Sequence, residues 1–192
     1  MVGGTADGFG AADGGRCWRG RPLPECRSFW ITEFGIGWRL TDSSDPARAR
    51  ELFDHYAVYD FGWMVNRTSK TAWGATFSLK GMGETHVGVH IRLRRWIDRN
   101  WALDVSPGIL LAGRSHDDDY DLEYPTLSGR LRISYGDWFG LTGGAELARI
   151  RDGATEVDGF AGVELGAYGG TGVGLMFTVL SLLYVSSFGG GS

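Results

Sequence analysis

Hydrophobic and polar residues alternate one by one over long stretches of this chain. In THVGVHIRLR, residues 85 to 94, Val87, Val89, Ile91 and Leu93 fall on one side of an extended backbone. His86, His90, Arg92 and Arg94 fall on the other, because strand side chains alternate with period two. The same pattern predicts eight strands, at 28–40, 55–66, 71–80, 85–96, 101–112, 126–135, 138–150 and 158–168. Trp30, Phe34, Ile36, Trp38 and Leu40 form the apolar side of the first; Trp73, Ala75, Phe77 and Leu79 form that of the third. The seventh and eighth are Gly-rich and alternate more weakly. Pro107 lies inside the fifth, where its missing donor requires a bulge or an irregular pairing.

The connections fall into two sets. Those after odd-numbered strands are long or variable (41–54, 81–84, 113–125, 151–157), and those after even-numbered strands are short (67–70, 97–100, 136–137, 169–171). Consecutive antiparallel strands joined this way place tight turns at one end and loops at the other. A transmembrane β-barrel has that asymmetry, and 10 to 13 residues per strand meet the ~9 to 11 that a tilted strand needs to cross a bilayer. The expected fold is therefore all-β, an up-and-down antiparallel transmembrane barrel of eight strands, with ten as the alternative. DPARARELF, 45 to 53, opens with an Asp cap and a first-turn Pro, and predicts a short helix in the first loop.

Charge decides which face is wet. The polar faces carry the acids Glu33, Asp60, Asp104, Glu146 and Glu164 and the bases Arg39, Lys80, Arg92, Arg94, Arg130 and Arg132, among small residues such as Gly74, Thr76, Ser78 and Gly88. Near-balanced ions among small residues suit the filled interior of a narrow barrel better than a solvated surface. Only Lys70 and Lys80 stand against 17 arginines, whereas a soluble sheet protein dresses its outside with Lys and Glu. Trp63 and Trp73, Trp96 and Trp101, Tyr135, Trp138 and Phe139, and Tyr168 flank the short turns, as the aromatic belt of a membrane protein would. A net charge of −4 offers no footprint for nucleic acid.

On these patterns, and on RLRRWIDRNWALDVSPGILLAG as a strand, tight turn and strand with paired Trp, residues 28–168 resemble the bacterial outer-membrane β-barrel class. The resemblance implies export to the bacterial outer membrane, membrane lipid as partner, and roles from structural anchoring to diffusion, adhesion or lipid-modifying catalysis. A non-enzymatic barrel, structural or a very narrow pore, with an internal charge network and no cofactor, is the leading reading. A lipid-modifying barrel enzyme and a soluble lipocalin-like ligand binder are the alternatives.

The remaining segments carry less. Residues 1–27 read as a flexible Gly-rich lead in which Cys17 and Cys26 close a small loop if the compartment oxidises. Residues 169–192 hold VGLMFTVLSLLYV, apolar on both sides: a ninth strand would break the even count of single-chain barrels, and a helix is the other option. Asp117, Asp119, Asp121 and Glu123 in SHDDDYDLE present alternating carboxylates to a calcium ion, without the glycine turn of an EF-hand; a solvated acidic loop is the plainer reading. Ser115, His116 and Asp117 are adjacent, but a catalytic triad is set by spatial geometry, not adjacency. His86 and His90 stand ~13 Å apart along one strand face, too far to share a metal.

Overall fold

The computed structural model describes residues 15–40, 55–81, 85–114, 122–150 and 155–188. The expected helix at 45–53 and residues Ser115 to Asp121 lie outside them. A three-residue strand, β1 (Gly15–Cys17), precedes eight long ones: β2 (Cys26–Arg39), β3 (His55–Asn66), β4 (Thr71–Gly81), β5 (Thr85–Trp96), β6 (Trp101–Arg114), β7 (Leu122–Tyr135), β8 (Phe139–Ile150) and β9 (Thr155–Leu165). Each of the eight pairs antiparallel with the next, and β9 pairs back onto β2, so the sheet closes with eight strands. β1 lies outside this ring, parallel to the first residues of β2.

The register fixes the barrel's proportions. Directly opposed partners run from Ser28 through Val65, Trp73, Leu93, Val105, Leu131, Gly143 and Ala161 back to β2 at Trp38, ten residues beyond the start. With a rise of ~3.3 Å per residue and strands ~4.8 Å apart, that stagger tilts the strands by about 41° and sets a backbone radius of about 8 Å. A ring of this size has room for side chains and none for a wide channel. Pro107 pairs with Gly129 on β7, while on its other side the ladder to β5 is interrupted between His90–Gly108 and Leu93–Val105. The missing donor falls in that interruption.

Orientation separates the two faces. Ile91, Leu93, Phe77, Val105, Leu127, Leu131 and Leu141 point outward and are exposed, whereas Arg92, Arg94, Asp104 and Arg132 point inward and are buried. More than twenty large apolar side chains form a continuous exposed wall, far beyond the few hundred Å² of apolar patch on an ordinary soluble monomer. Trp63, Trp73, Trp101, Tyr135, Trp138, Phe139 and Tyr168 lie on the outside near the short turns; Trp96 does not. It shares the parity of Arg92 and Arg94 and is 4% exposed inside the ring, so its place in the outer belt is corrected.

The apolar C-terminal segment is a helix, α1 (Ala167–Phe188), not a ninth barrel strand. It begins at the short-turn end and packs on the outside of β2. Thr32 Oγ1 donates to Ala167 O at 3.0 Å, and Thr171 Oγ1 donates to Thr32 Oγ1 at 2.8 Å. Gly170 and Gly174 stand four residues apart on the packed side. A Cβ at Gly170 would stand 2.4 Å from Thr32 O, and one at Gly174 would enter the Tyr59 ring. Small residues at that spacing let a helix lie close against a neighbour.

Candidate functional site

The inward positions of the eight strands stack in layers along the barrel axis. At the short-turn end Phe29, Ile31, Met64, Ala72, Trp96 and Ala102 form an apolar floor. Trp96 Nε1 donates to Asn66 Oδ1 at 2.9 Å, and Asn66 Nδ2 donates to the carbonyls of Arg21 and Cys26 at 2.6 and 2.7 Å. Those carbonyls belong to the segment 17–26, closed by a Cys17–Cys26 disulfide with Cα atoms 5.8 Å apart. The segment is tied to the short turns at two further points. Gly20 N donates to Asp137 Oδ2 at 2.8 Å, and Arg21 Nη1 to Asn100 Oδ1 at 2.7 Å.

Above the floor sits the ionic centre. Register puts Arg94, Asp104 and Arg132 side by side on β5, β6 and β7, so alternating charge is built into the sheet. Asp104, wholly buried, accepts from Arg94 Nε at 2.6 Å and from Arg92 Nη2 at 2.6 Å, with Arg132 Nη1 at 3.4 Å. Arg94 reaches on to Asp137 at 2.8 Å. From β5, Arg92 spans the lumen to Glu33 on β2; Arg132 meets Glu33 at 2.9 Å and Glu164 on β9 at 2.6 Å. These links brace walls that share no ladder.

Glu33 and Asp60 are direct cross-strand partners, an arrangement that like charges disfavour. Each is drawn to a different arginine from the far wall: Glu33 to Arg92, Asp60 to Arg130 Nη1 at 2.7 Å. The next layer is built around His90. Its Nδ1 lies 3.1 Å from Ser78 Oγ and its Nε2 lies 3.2 Å from Ser128 Oγ, while Ser78 Oγ donates to Asp60. Two hydroxyls, not a hydroxyl and a carboxylate, flank the imidazole, and all four side chains are buried in the lumen behind the sheet. Toward the loops, Lys80 spans from β4 to Glu146 on β8 at 2.9 Å, its ammonium over the rings of Tyr56 and Phe160 at 4.6 and 5.3 Å. Arg39 and Asp158, 3.8 Å apart, are the most water-accessible ion pair on the polar face among the described residues.

Ten residues singled out by alternation therefore share one lumen: Glu33, Asp60, Lys80, Arg92, Arg94, Asp104, Arg130, Arg132, Glu146 and Glu164. Two members were missed. Asp158 has the parity of Glu164 and marks itself by that alone; Asp137 sits in the β7–β8 turn at φ 55° and returns into the barrel, which no strand pattern reveals. His86 is buried on the same face as His90. Asp117, Asp119 and Asp121 lie outside the described residues, so the calcium candidate has no described geometry. Among the described residues no group of three His, Cys, Asp or Glu is placed to hold a metal.

A closed eight-stranded antiparallel ring, ionic inside and apolar outside, has the architecture of a transmembrane β-barrel. No protein-family model and no curated protein matches the sequence. Two solved structures are similar in fold. One is the Yersinia pestis outer membrane protein Ail in a phospholipid bilayer nanodisc, 10% identical, TM-score 0.39, over 71% of this chain and 98% of that one. The other is a de novo designed transmembrane β-barrel, 9% identical, TM-score 0.36, over 77% of this chain and 98% of that one. Likenesses this slight carry no weight beside the chain's own strand pairing and side-chain orientation.

Proposed function

We propose that the chain is a bacterial outer-membrane β-barrel acting as a sealed structural anchor: strands β2 to β9 span the bilayer, residues 15–27 cap one mouth, and α1 lies on the outer wall. The observation that carries this is the filled lumen. Glu33, Arg92, Arg94, Asp104 and Arg132 are each 4% exposed or less, and the apolar floor lies beneath them. Their cross-lumen pairs occupy the middle of the barrel, between the Lys80–Glu146 layer and the apolar floor. The outer wall presents apolar side chains and, among the described residues, no paired nucleophile and base, so binding to membrane lipid is the contact it supports.

The test is made on folded protein in planar bilayers and in vesicles. The expected results are no unit conductance at either polarity and no change in the mass of the surrounding lipid. A steady ohmic conductance would replace the anchor with a pore, and a lipid mass change would replace it with an enzyme. Failure to enter bilayers would overturn the membrane-spanning reading.

A further inference from the structure

The two ends of the barrel carry opposite charge. Connections at the loop end, 41–54, 82–84, 115–121 and 151–154, contain ten acids against three arginines. The other end, made of 15–27, 67–70, 97–100 and 136–138, contains seven cations against three acids. Two of those acids are already engaged: Asp137 is buried against Arg94, and Glu25 pairs with Arg99 at 2.9 Å. The short-turn rim is thus basic in a chain of net charge −4.

Three of its arginines are held at a definite height. Arg16 lies over the Trp63 ring at 5.9 Å, Arg19 over Trp138 at 5.4 Å and Arg67 over Trp73 at 5.0 Å. Among the described residues these guanidiniums meet rings and no carboxylate. With no carboxylate beside them among the described residues, these guanidiniums keep N–H donors for a bidentate acceptor. Arg19 Nε is enclosed and has no hydrogen-bond partner among the described residues. Beside it Trp18, Trp138 and Tyr168 form an exposed cluster, with Trp18 and Tyr168 stacked at 6.3 Å.

We infer that the short-turn rim binds the phosphate groups of anionic phospholipids in the leaflet it meets, through Arg16, Arg19 and Arg67. This rests on the bilayer-spanning reading proposed above. Belt tryptophans sit at the level of lipid headgroups, so cations stacked on them stand at the level of the phosphodiester. The rim's excess positive charge then selects anionic headgroups over zwitterionic ones, whose own ammonium offsets the attraction. The acidic loop end gains nothing from the same lipid, so the chain has one leaflet preference.

The experiment reads tryptophan quenching in vesicles containing either brominated phosphatidylglycerol or brominated phosphatidylcholine, at low and high salt. Wild-type protein is expected to prefer phosphatidylglycerol by at least about fivefold, the factor that one arginine contributes at an anionic surface, and to lose the preference in salt. The R16Q/R19Q/R67Q variant is expected to fall toward parity while phosphatidylcholine quenches it as before. Should the triple variant misfold, R67Q alone, on an exposed turn, is expected to lose part of the preference. Equal quenching of the wild type by both lipids, or a preference that survives these substitutions, overturns the inference and leaves the barrel standing. Quenching by neither lipid overturns both.

Discussion

Arg132 is the residue whose removal should reveal how the lumen is held. In the ionic centre four carboxylates, Glu33, Asp104, Asp137 and Glu164, share three guanidiniums, Arg92, Arg94 and Arg132. Asp104 and Glu33 have other arginines to fall back on. Glu164 pairs with Arg132 alone among the described residues, at 2.6 Å. At an effective dielectric of ~20 that contact is worth about 6 kcal/mol of attraction, and relief from desolvating the guanidinium returns part of it when the arginine is removed. A loss of about 3–5 kcal/mol is therefore expected for Arg132→Gln, as for other buried pairs broken from one side. Glu164→Gln should cost much less, because it takes one charge from a cluster already rich in acids. The double variant should recover at least ~1.5 kcal/mol over the sum of the singles, since the two residues are in direct contact. Equilibrium urea unfolding of the four proteins in lipid vesicles, followed by tryptophan fluorescence, measures this cycle. Equal costs for the two single variants, with no coupling between them, would refute a lumen held by ion pairs.

The outer wall gives a second test: Ile91→Arg, an outward position midway along β5, should destabilise the inserted barrel by about 2–4 kcal/mol in vesicles and leave the detergent-free solution behaviour as poor as before. Gly108→Ala should cost about 1–3 kcal/mol by the same unfolding assay, because a Cβ there would fall 2.2 Å from the His90 ring and 2.5 Å from Val89 O. Replacing both cysteines by serine opens a loop with a sequence separation of nine, and the loop-closure cost is about 3 kcal/mol, read as a drop in the urea midpoint of the variant below that of the non-reduced wild type. In the exposed β5–β6 turn, backbone N–H groups of Trp101 and Asn100 bond Asp98 and hold its carboxyl below the usual carboxylate range. Its contribution is thus present above the unfolded-state pKa and fades as pH falls through the folded one; Asp98→Ala should remove that pH dependence from the turn's amide exchange.

The ring of eight strands was legible because one lipid-facing and one ionic face impose a strict alternation, which β4, β5 and β7 obey almost residue by residue. Strand ends were less so: β7 begins at Leu122, inside a segment read as loop, because Pro125 masks its start. Alternation placed Arg92, Arg94, Asp104 and Arg132 in one lumen, but not which carboxylate each would meet, since partners such as Arg132 and Glu33 come from opposite walls brought close by stagger. Trp96 adjoins a short turn, as belt residues do, but its parity is that of Arg92 and Arg94, and parity sets its side. The C-terminal segment was ambiguous for a physical reason: apolar on every side, it has no period to read, and only the glycines at 170 and 174 record the wall it packs against.

Orientation of the strands is the claim beneath all of this, and spin labels placed singly at successive positions from 87 to 94 in vesicles test it most directly. Labels at 89, 91 and 93 should collide with oxygen and be shielded from a water-soluble nickel chelate, while those at 88, 90, 92 and 94 should be shielded from both. Free access of the chelate to 91 and 93, with the even positions equally open to water, would contradict the account.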